Sequence, residues 1–119
     1  LLSLVGSEMC IRDSNNIFQY TMDASIMLDK INKKFDIIFL DADKKNYVNY
    51  LNIITNILNK NGILIADNVL WYGKVLGKIS EKDKETKAIH EFNKKLKNSK
   101  QFQTIILPLR DGISISIKL

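Results

Sequence analysis

The sequence predicts an α/β fold: a mostly parallel sheet layered with helices, three layers in all, ending in an antiparallel hairpin. Two apolar runs point to parallel strands. Phe35-Asp36-Ile37-Ile38-Phe39-Leu40 and Ile63-Leu64-Ile65-Ala66 stop abruptly at Asp41 and at Asp67-Asn68. Such runs fit strands buried on both faces, as in a parallel sheet covered by helices. The third observation is the turn-rich Pro108-Leu109-Arg110-Asp111-Gly112, which joins two further strand-like runs. A link that short makes a hairpin, because parallel neighbours need a crossover of roughly a dozen residues.

In chain order, Leu1 to Ser14 differ in composition from the Ile/Lys/Asn-rich remainder, without a starting Met or the basic lead-in of a secretion signal. This segment resembles translated sequencing-adapter read-through, with a natural frayed terminus as the alternative. The expected organisation is therefore residues 1–14 as a non-native segment and 15–119 as a partial domain. Ile17 to Tyr20 reads as a short strand, and Ser25 to Ile31 as a short helix with Ile26, Met27, Leu28 and Ile31 at helical spacing. After the strand Asp36 to Leu40, Tyr47, Tyr50, Leu51, Ile54 and Leu58 recur along one face of a helix spanning Lys45 to Asn59. Asn61-Gly62 suits a left-handed cap ending that helix. After the strand Ile63 to Ala66, a loop carries Trp71, Tyr72, Gly73 and Gly77. The charged stretch Ser80 to Ser99 lines up Ala88, Ile89, Phe92 and Leu96 at helical spacing, with Ser80 and Asp83 offering N-cap chemistry. Phe102 to Leu107 and Ile113 to Ile117 form the hairpin. The order is β-α-β-α-β-α-β-β.

Length and charge narrow the classes. The 119 residues make one modest domain. No apolar run approaches the roughly 20 residues needed to cross a bilayer, so no membrane partner is expected. The net charge of +5 is carried mainly by Lys; it suits an anionic partner or, more commonly, a solvated surface. A single cysteine, Cys10, excludes an internal disulfide and makes a cytoplasmic location the default. His90 lies among charged residues with no second His or Cys to make a metal site.

The two apolar runs deliver Asp41, Asp43, Lys44, Asp67 and Asn68 to the carboxyl ends of their strands, where ligands of such sheets bind. Asp41, Asp67 and Asn68 supply two carboxylates and an amide oxygen, a hard donor set suited to Mg²⁺, Mn²⁺ or Ca²⁺. A lysine beside a divalent cation is pushed towards the neutral amine, which is what a general base requires. Lys44 opens the next helix and is placed for that role. From spacing alone, capping chemistry accounts for these residues equally well. Trp71 and Tyr72 follow the Asp67-Asn68 pair and either line a pocket or simply pack. Asp111-Gly112 is explained by turn chemistry.

FDIIFLDADKKNY, GILIADNVLWYGKV and LPLRDGISISI resemble three consecutive blocks of the cation-dependent, S-adenosylmethionine-dependent O-methyltransferases, the caffeoyl-CoA and catechol O-methyltransferase family in its small bacterial form. The similarity runs from about Ile17 to the C-terminus, and the combination of LDADK with ADNVLW is what makes it specific. It implies the C-terminal part of a Rossmann-like methyltransferase sandwich. Residue by residue, it implies that Asp41, Asp67 and Asn68 are metal ligands and Lys44 the catalytic base. It further implies that Asp23 and Ala24 read the adenine of the cofactor, with Asp41 also beside its methionine end. Met22 departs from the Gly that the family usually has before the Asp-Ala pair. The implied reaction is methylation of a vicinal dihydroxy, catechol-like small molecule by a full-length homodimer.

The Gly-rich turn that opens a cofactor site of this type does not occur among Gly6, Gly62, Gly73, Gly77 and Gly112. The chain is therefore expected to be a C-terminal fragment, weak in cofactor binding and turnover by itself, with an open apolar edge at Asp36 to Leu40. Two other readings stand beside this one. Methylation of a hydroxylated uridine in tRNA would suit the basic balance, though no Arg/aromatic patch supports it. A non-catalytic receiver-like signalling module also places Asp and Lys at strand ends near Mg²⁺, but needs an acidic pair after its first strand that this order lacks.

Overall fold

The structure, a computed structural model, describes residues 18–119. The segment 1–14, Cys10 and Ile17 lie outside the described residues. Of the strand expected at Ile17 to Tyr20, only an isolated bridge at Phe18 remains within them, and Phe18 to Tyr20 are exposed. No continuous ladder supports a strand there.

Helix α1 (Ala24–Lys30) starts at Asp23, whose carboxylate accepts from the N–H groups of Ser25 and Ile26. Strand β1 (Phe35–Leu40) follows, then a single 3-10 turn, Lys44–Asn46, and helix α2 (Tyr47–Ile57). The helix expected to reach Asn59 gives way at Leu58 to strand β2 (Leu58–Asp67). Asn61 does adopt a left-handed φ of 64°, but inside β2 and not as a helix cap. Phe35 pairs with Leu58 and Ile37 already with Ile63, so the residues between 58 and 63 form a bulge. Gly62 closes it: a Cβ there would stand 2.8 Å from the Asn59 carbonyl oxygen. Helix α3 (Lys84–Asn98) begins at Asp83, whose carboxylate accepts from the Thr86 N–H at 3.1 Å. Ser80 belongs to the preceding turn, its hydroxyl taking the Lys82 N–H. Strands β3 (Phe102–Leu107) and β4 (Ile113–Lys118) complete the chain.

The sheet order is β1-β2-β4-β3. β1 and β2 are parallel, while β4 is antiparallel to both of its neighbours. Three strands thus run one way and β4 the other. The expected hairpin is present, and its returning strand β4 enters the sheet between β2 and β3, which leaves β3 at the edge. The residues explain the choice. Ser114 and Ser116 of β4 are fully buried and small enough to lie beneath helices, whereas β3 leaves Ile105 and Ile106 exposed, as an edge strand can.

One face of the sheet holds the core. Tyr47, Leu51, Ile54 and Leu58 pack with Phe92 and Leu96 of α3 against Leu40, Leu64, Ala66 and Phe102, and Ala24 and Leu28 bring α1 onto the same cluster. The other face is open among the described residues, so these supply two of the three expected layers. Along it lie Ile37, Phe39, Ile105 and Ile117, each at least 42% exposed.

Candidate active site

The parallel register sets Leu40 opposite Ala66, so the next residues, Asp41 and Asp67, leave neighbouring strand tips side by side. Lys44 turns back from the 3-10 segment and is buried, with Nζ 3.0 Å from Asp41 Oδ1 and donating to the Tyr47 hydroxyl at 2.5 Å. That hydroxyl faces the carbonyl oxygen of Asp67 at 2.9 Å and that of Leu40 at 3.3 Å. The Asp67 carboxylate accepts from the Asn68 N–H at 2.7 Å. Asn68 has φ 58°, a left-handed conformation that Asn tolerates, and there the chain turns out of the sheet.

The loop that follows is fastened from the hairpin. Gly112 and Asp111 carbonyls accept from the N–H groups of Val69 and Leu70, and Asn93 donates to the Val69 carbonyl at 2.8 Å. Gly112 sits at φ 82° with Leu70 so close that an added Cβ would lie 2.4 Å from its Cγ. Trp71, Tyr72 and Gly73 continue with positive φ, and the Asp111 carboxylate takes the Tyr72 N–H at 2.6 Å. Such a run of left-handed residues stores strain that its surroundings must hold. Trp71 is half-buried and Tyr72 exposed, their rings 5.3 Å apart. Asp111 thus sits in the hairpin turn, as its sequence context suggests, but its carboxylate and carbonyl fasten the loop after β2.

The electrostatics centre on two phenols of α2. Burial, then the carboxylates of Asp41, Asp67 and Asp43, push the Tyr47 hydroxyl far above the ordinary phenol range, so it stays protonated. Burial likewise raises Tyr50, together with its 2.7 Å hydrogen bond to Asp43. Two of those carboxylates, Asp41 and Asp67, lie at the ends of β1 and β2. Asp23 lies apart as the cap of α1. Its hydrogen bonds from the Ser25 hydroxyl, then from the Ile26 and Ser25 N–H groups, hold its carboxyl below the usual range. Ala24 packs against the core.

Among the described residues no three of His, Cys, Asp and Glu come together. Any metal site here rests on two carboxylates and an amide. That donor set fits a hard divalent cation that keeps positions for water or substrate. The Asp41 side chain is half exposed, and among the described residues the Asn68 side-chain amide makes no protein hydrogen bond, the Asn68 N–H alone being taken by Asp67, so both keep oxygens to offer. Sequence periodicity counted Tyr47 and Tyr50 only as helix-face core residues. Tyr47 lies three residues after Lys44, the interval at which helical side chains meet, but that spacing does not reveal what its hydroxyl bonds.

A family model described as O-methyltransferase matches residues 15–119. The chain belongs to this family. A protein of Arabidopsis thaliana named probable caffeoyl-CoA O-methyltransferase is 37% identical over 103 residues, covering 79% of this chain and 43% of the relative. The caffeoyl-CoA O-methyltransferase of Medicago sativa is 31% identical over 99 residues, covering 79% of this chain and 40% of the relative. In shape, the chain matches the O-methyltransferase of Bacillus cereus, solved in complex with SAH, with a TM-score of 0.78 at 22% identity, over 87% of this chain and 50% of that one. The chain thus spans about half the length of that solved structure and less of the curated relatives. No described helix is long and apolar enough to cross a membrane.

Proposed function

We propose that the protein to which this chain contributes transfers the methyl group of S-adenosylmethionine to one hydroxyl of a small aromatic substrate bearing two adjacent hydroxyls, with a divalent cation bound. The observation that carries this reading is that Asp41 and Asp67 leave neighbouring strand tips side by side, with Lys44 Nζ 3.0 Å from Asp41. The sequence blocks around those residues, and relatives named as caffeoyl-CoA O-methyltransferases, support the same chemistry.

Asp41, Asp67 and Asn68 would hold the cation, which supplies a Lewis acid and a two-point template for adjacent hydroxyls. Lys44 is the group that accepts, at Nζ, the proton of the hydroxyl to be methylated. Asp41 then faces the ammonium that this transfer creates. The acceptor oxygen forms a bond to the methyl carbon as the carbon–sulfur bond breaks, leaving S-adenosylhomocysteine. Orientation of the two reactants can itself be worth roughly 7–11 kcal/mol of the barrier. Asp23 and Ala24, at the start of α1, are proposed to face the adenine.

Assay of the full-length protein with catechol and S-adenosylmethionine tests this. Chelation should abolish turnover, Mg²⁺ or Mn²⁺ should restore it, and Asp67→Ala should remove the response to metal while the fold survives. Undiminished methylation after exhaustive chelation would rule the reading out.

A further inference from the structure

The geometry points to Tyr47 as a positioning residue that acts through Lys44: its hydroxyl fixes the lysine against Asp41 and ties the tip of β1 to the tip of β2. This rests on the reading of Lys44 as the base.

Tyr47 is the first residue of α2 and has no solvent exposure. Its ring meets Phe92 edge-on at 5.1 Å, so it cannot swing without disturbing α3. For packing alone a Phe would serve. The hydroxyl is what distinguishes it, and that one oxygen meets three groups of the site. It accepts from Lys44 Nζ at 2.5 Å, and its single proton is shared between the Asp67 carbonyl at 2.9 Å and the more distant Leu40 carbonyl at 3.3 Å. Leu40 directly precedes Asp41, and Asp67 directly precedes Asn68. Each accepting carbonyl is thus on, or next to, a residue proposed to hold the cation.

Lys44 shows why such a brace is needed. A lysine has four rotatable side-chain bonds, and Nζ is buried here with only Asp41 and the Tyr47 hydroxyl as hydrogen-bond partners among the described residues. Without the hydroxyl, Nζ keeps one partner and gains freedom to swing towards water. Tyr50, three residues on, supports the same loop through Asp43 Oδ1 at 2.7 Å. It makes no hydrogen bond to Lys44 Nζ among the described residues, so the two phenols divide the work: one holds the loop, the other the lysine.

The test uses the full-length protein with Tyr47→Phe, Lys44→Ala and the double variant. Tyr47→Phe should lower kcat by about tenfold, the scale of one hydrogen bond to a charged group, with KM for the acceptor changed far less. In the Lys44→Ala background it should cost no further rate. Additive losses in the double variant, or full kcat for Tyr47→Phe where Lys44→Ala is crippled, would overturn the role of Tyr47. Full activity of Lys44→Ala would instead remove the base reading on which the role rests. A readout independent of turnover is mass-spectrometric labelling of lysines by reductive methylation. Lys44 should react several-fold faster in Tyr47→Phe than in the parent, while exposed Lys94 is unchanged; equal protection of Lys44 in both would also overturn the proposal. If Tyr47→Phe does not fold, para-fluorophenylalanine at position 47 fills the space of the hydroxyl without donating and should give the same labelling change.

Discussion

The two faces of the sheet are built from alternate residues of the same strands, and they meet different surroundings. On the helix-covered face, Leu64 and Ala66 of β2 and Ser114 and Ser116 of β4 are fully buried. On the open face, β4 presents Ile113, Ile115 and Ile117, and β1 presents Ile37 and Phe39. The usual rule would put isoleucine in and serine out. In β4 the order is reversed, with the Ser116 hydroxyl paired to Thr104 at 2.8 Å beneath the helices and the isoleucines outside. A strand with small polar residues on one face and branched apolar ones on the other is written for a sheet that is covered on both. The cross-strand registers Ile37–Ile63, Ile63–Ile117, Phe39–Ile65, Ile65–Ile115 and Ile115–Ile105 make those side chains one continuous apolar patch. A patch of that kind marks a contact surface in a folded protein.

The sharpest way to break this contrast is to truncate a large residue on each face and compare. Phe92 is fully buried against Tyr47. Phe92→Ala should cost about 3–5 kcal/mol, which for a chain this size is most or all of its stability. Urea melts followed by circular dichroism read it directly. A loss below about 1 kcal/mol would mean that the helical layer is not a packed core.

Next in size is Gly62→Ala. The added methyl would meet the Asn59 carbonyl at 2.8 Å and the Leu58 side chain at 2.9 Å, in the bulge that lets β2 begin directly after α2. Overpacking of this kind costs about 1–3 kcal/mol. Because the bulge sets the register of β2 on β1, the same substitution should disturb the alignment of Asp41 with Asp67. Amide exchange at Ile63 to Ala66 should quicken; unchanged exchange and stability together would show that the bulge yields without strain.

The strands, helices and hairpin were legible because their signals are local: apolar runs, helical spacing and a turn-rich link. The strand order was not, since nothing in Ile113 to Lys118 says which edge of β2 it will join, and pairing is settled by burial across the whole sheet. The end of α2 was misplaced for a related reason. Asn61-Gly62 carries the chemistry of a left-handed turn, and that chemistry serves a bulge as well as a cap. At the site, Asp41, Lys44, Asp67 and Asn68 could be read from strand ends and resemblance. Tyr47 could not, because its ring satisfies the helix periodicity and its hydroxyl shows its purpose only when the Lys44 ammonium and the Asp67 carbonyl are seen around it.

A smaller effect belongs to the weakest corner of the covered face. Helix α1 is seven residues long, buries only Met27 fully and is capped by Asp23. The Asp23 carboxyl is held low by the Ser25 hydroxyl and two N–H groups. A carboxyl depressed in the fold contributes stability above its ordinary range, and that contribution is lost as pH falls through its folded value. Acidification should therefore weaken the start of α1, and Ser25→Ala should raise the Asp23 titration midpoint, as read by NMR of its side-chain carboxyl. A midpoint unmoved by Ser25→Ala would show that the hydroxyl does not hold the carboxylate.

The smallest expected change in stability is also the one that tests the open face most directly. Phe39 and Ile105 are 54% and 56% exposed, so replacing both with Lys removes little buried area. The melting free energy of this chain should shift by no more than about 0.5 kcal/mol per site, as exposed substitutions do. Binding of an apolar dye should fall, because two positive charges interrupt the patch that runs from β1 to β3. A core-sized loss of stability would mean that something packs on this face in the isolated chain, and the contrast between the two faces would not hold. A small loss with undiminished dye binding would place the contact surface elsewhere on the molecule. Since β4 keeps its isoleucines in either case, what separates these outcomes is whether those side chains meet water or protein.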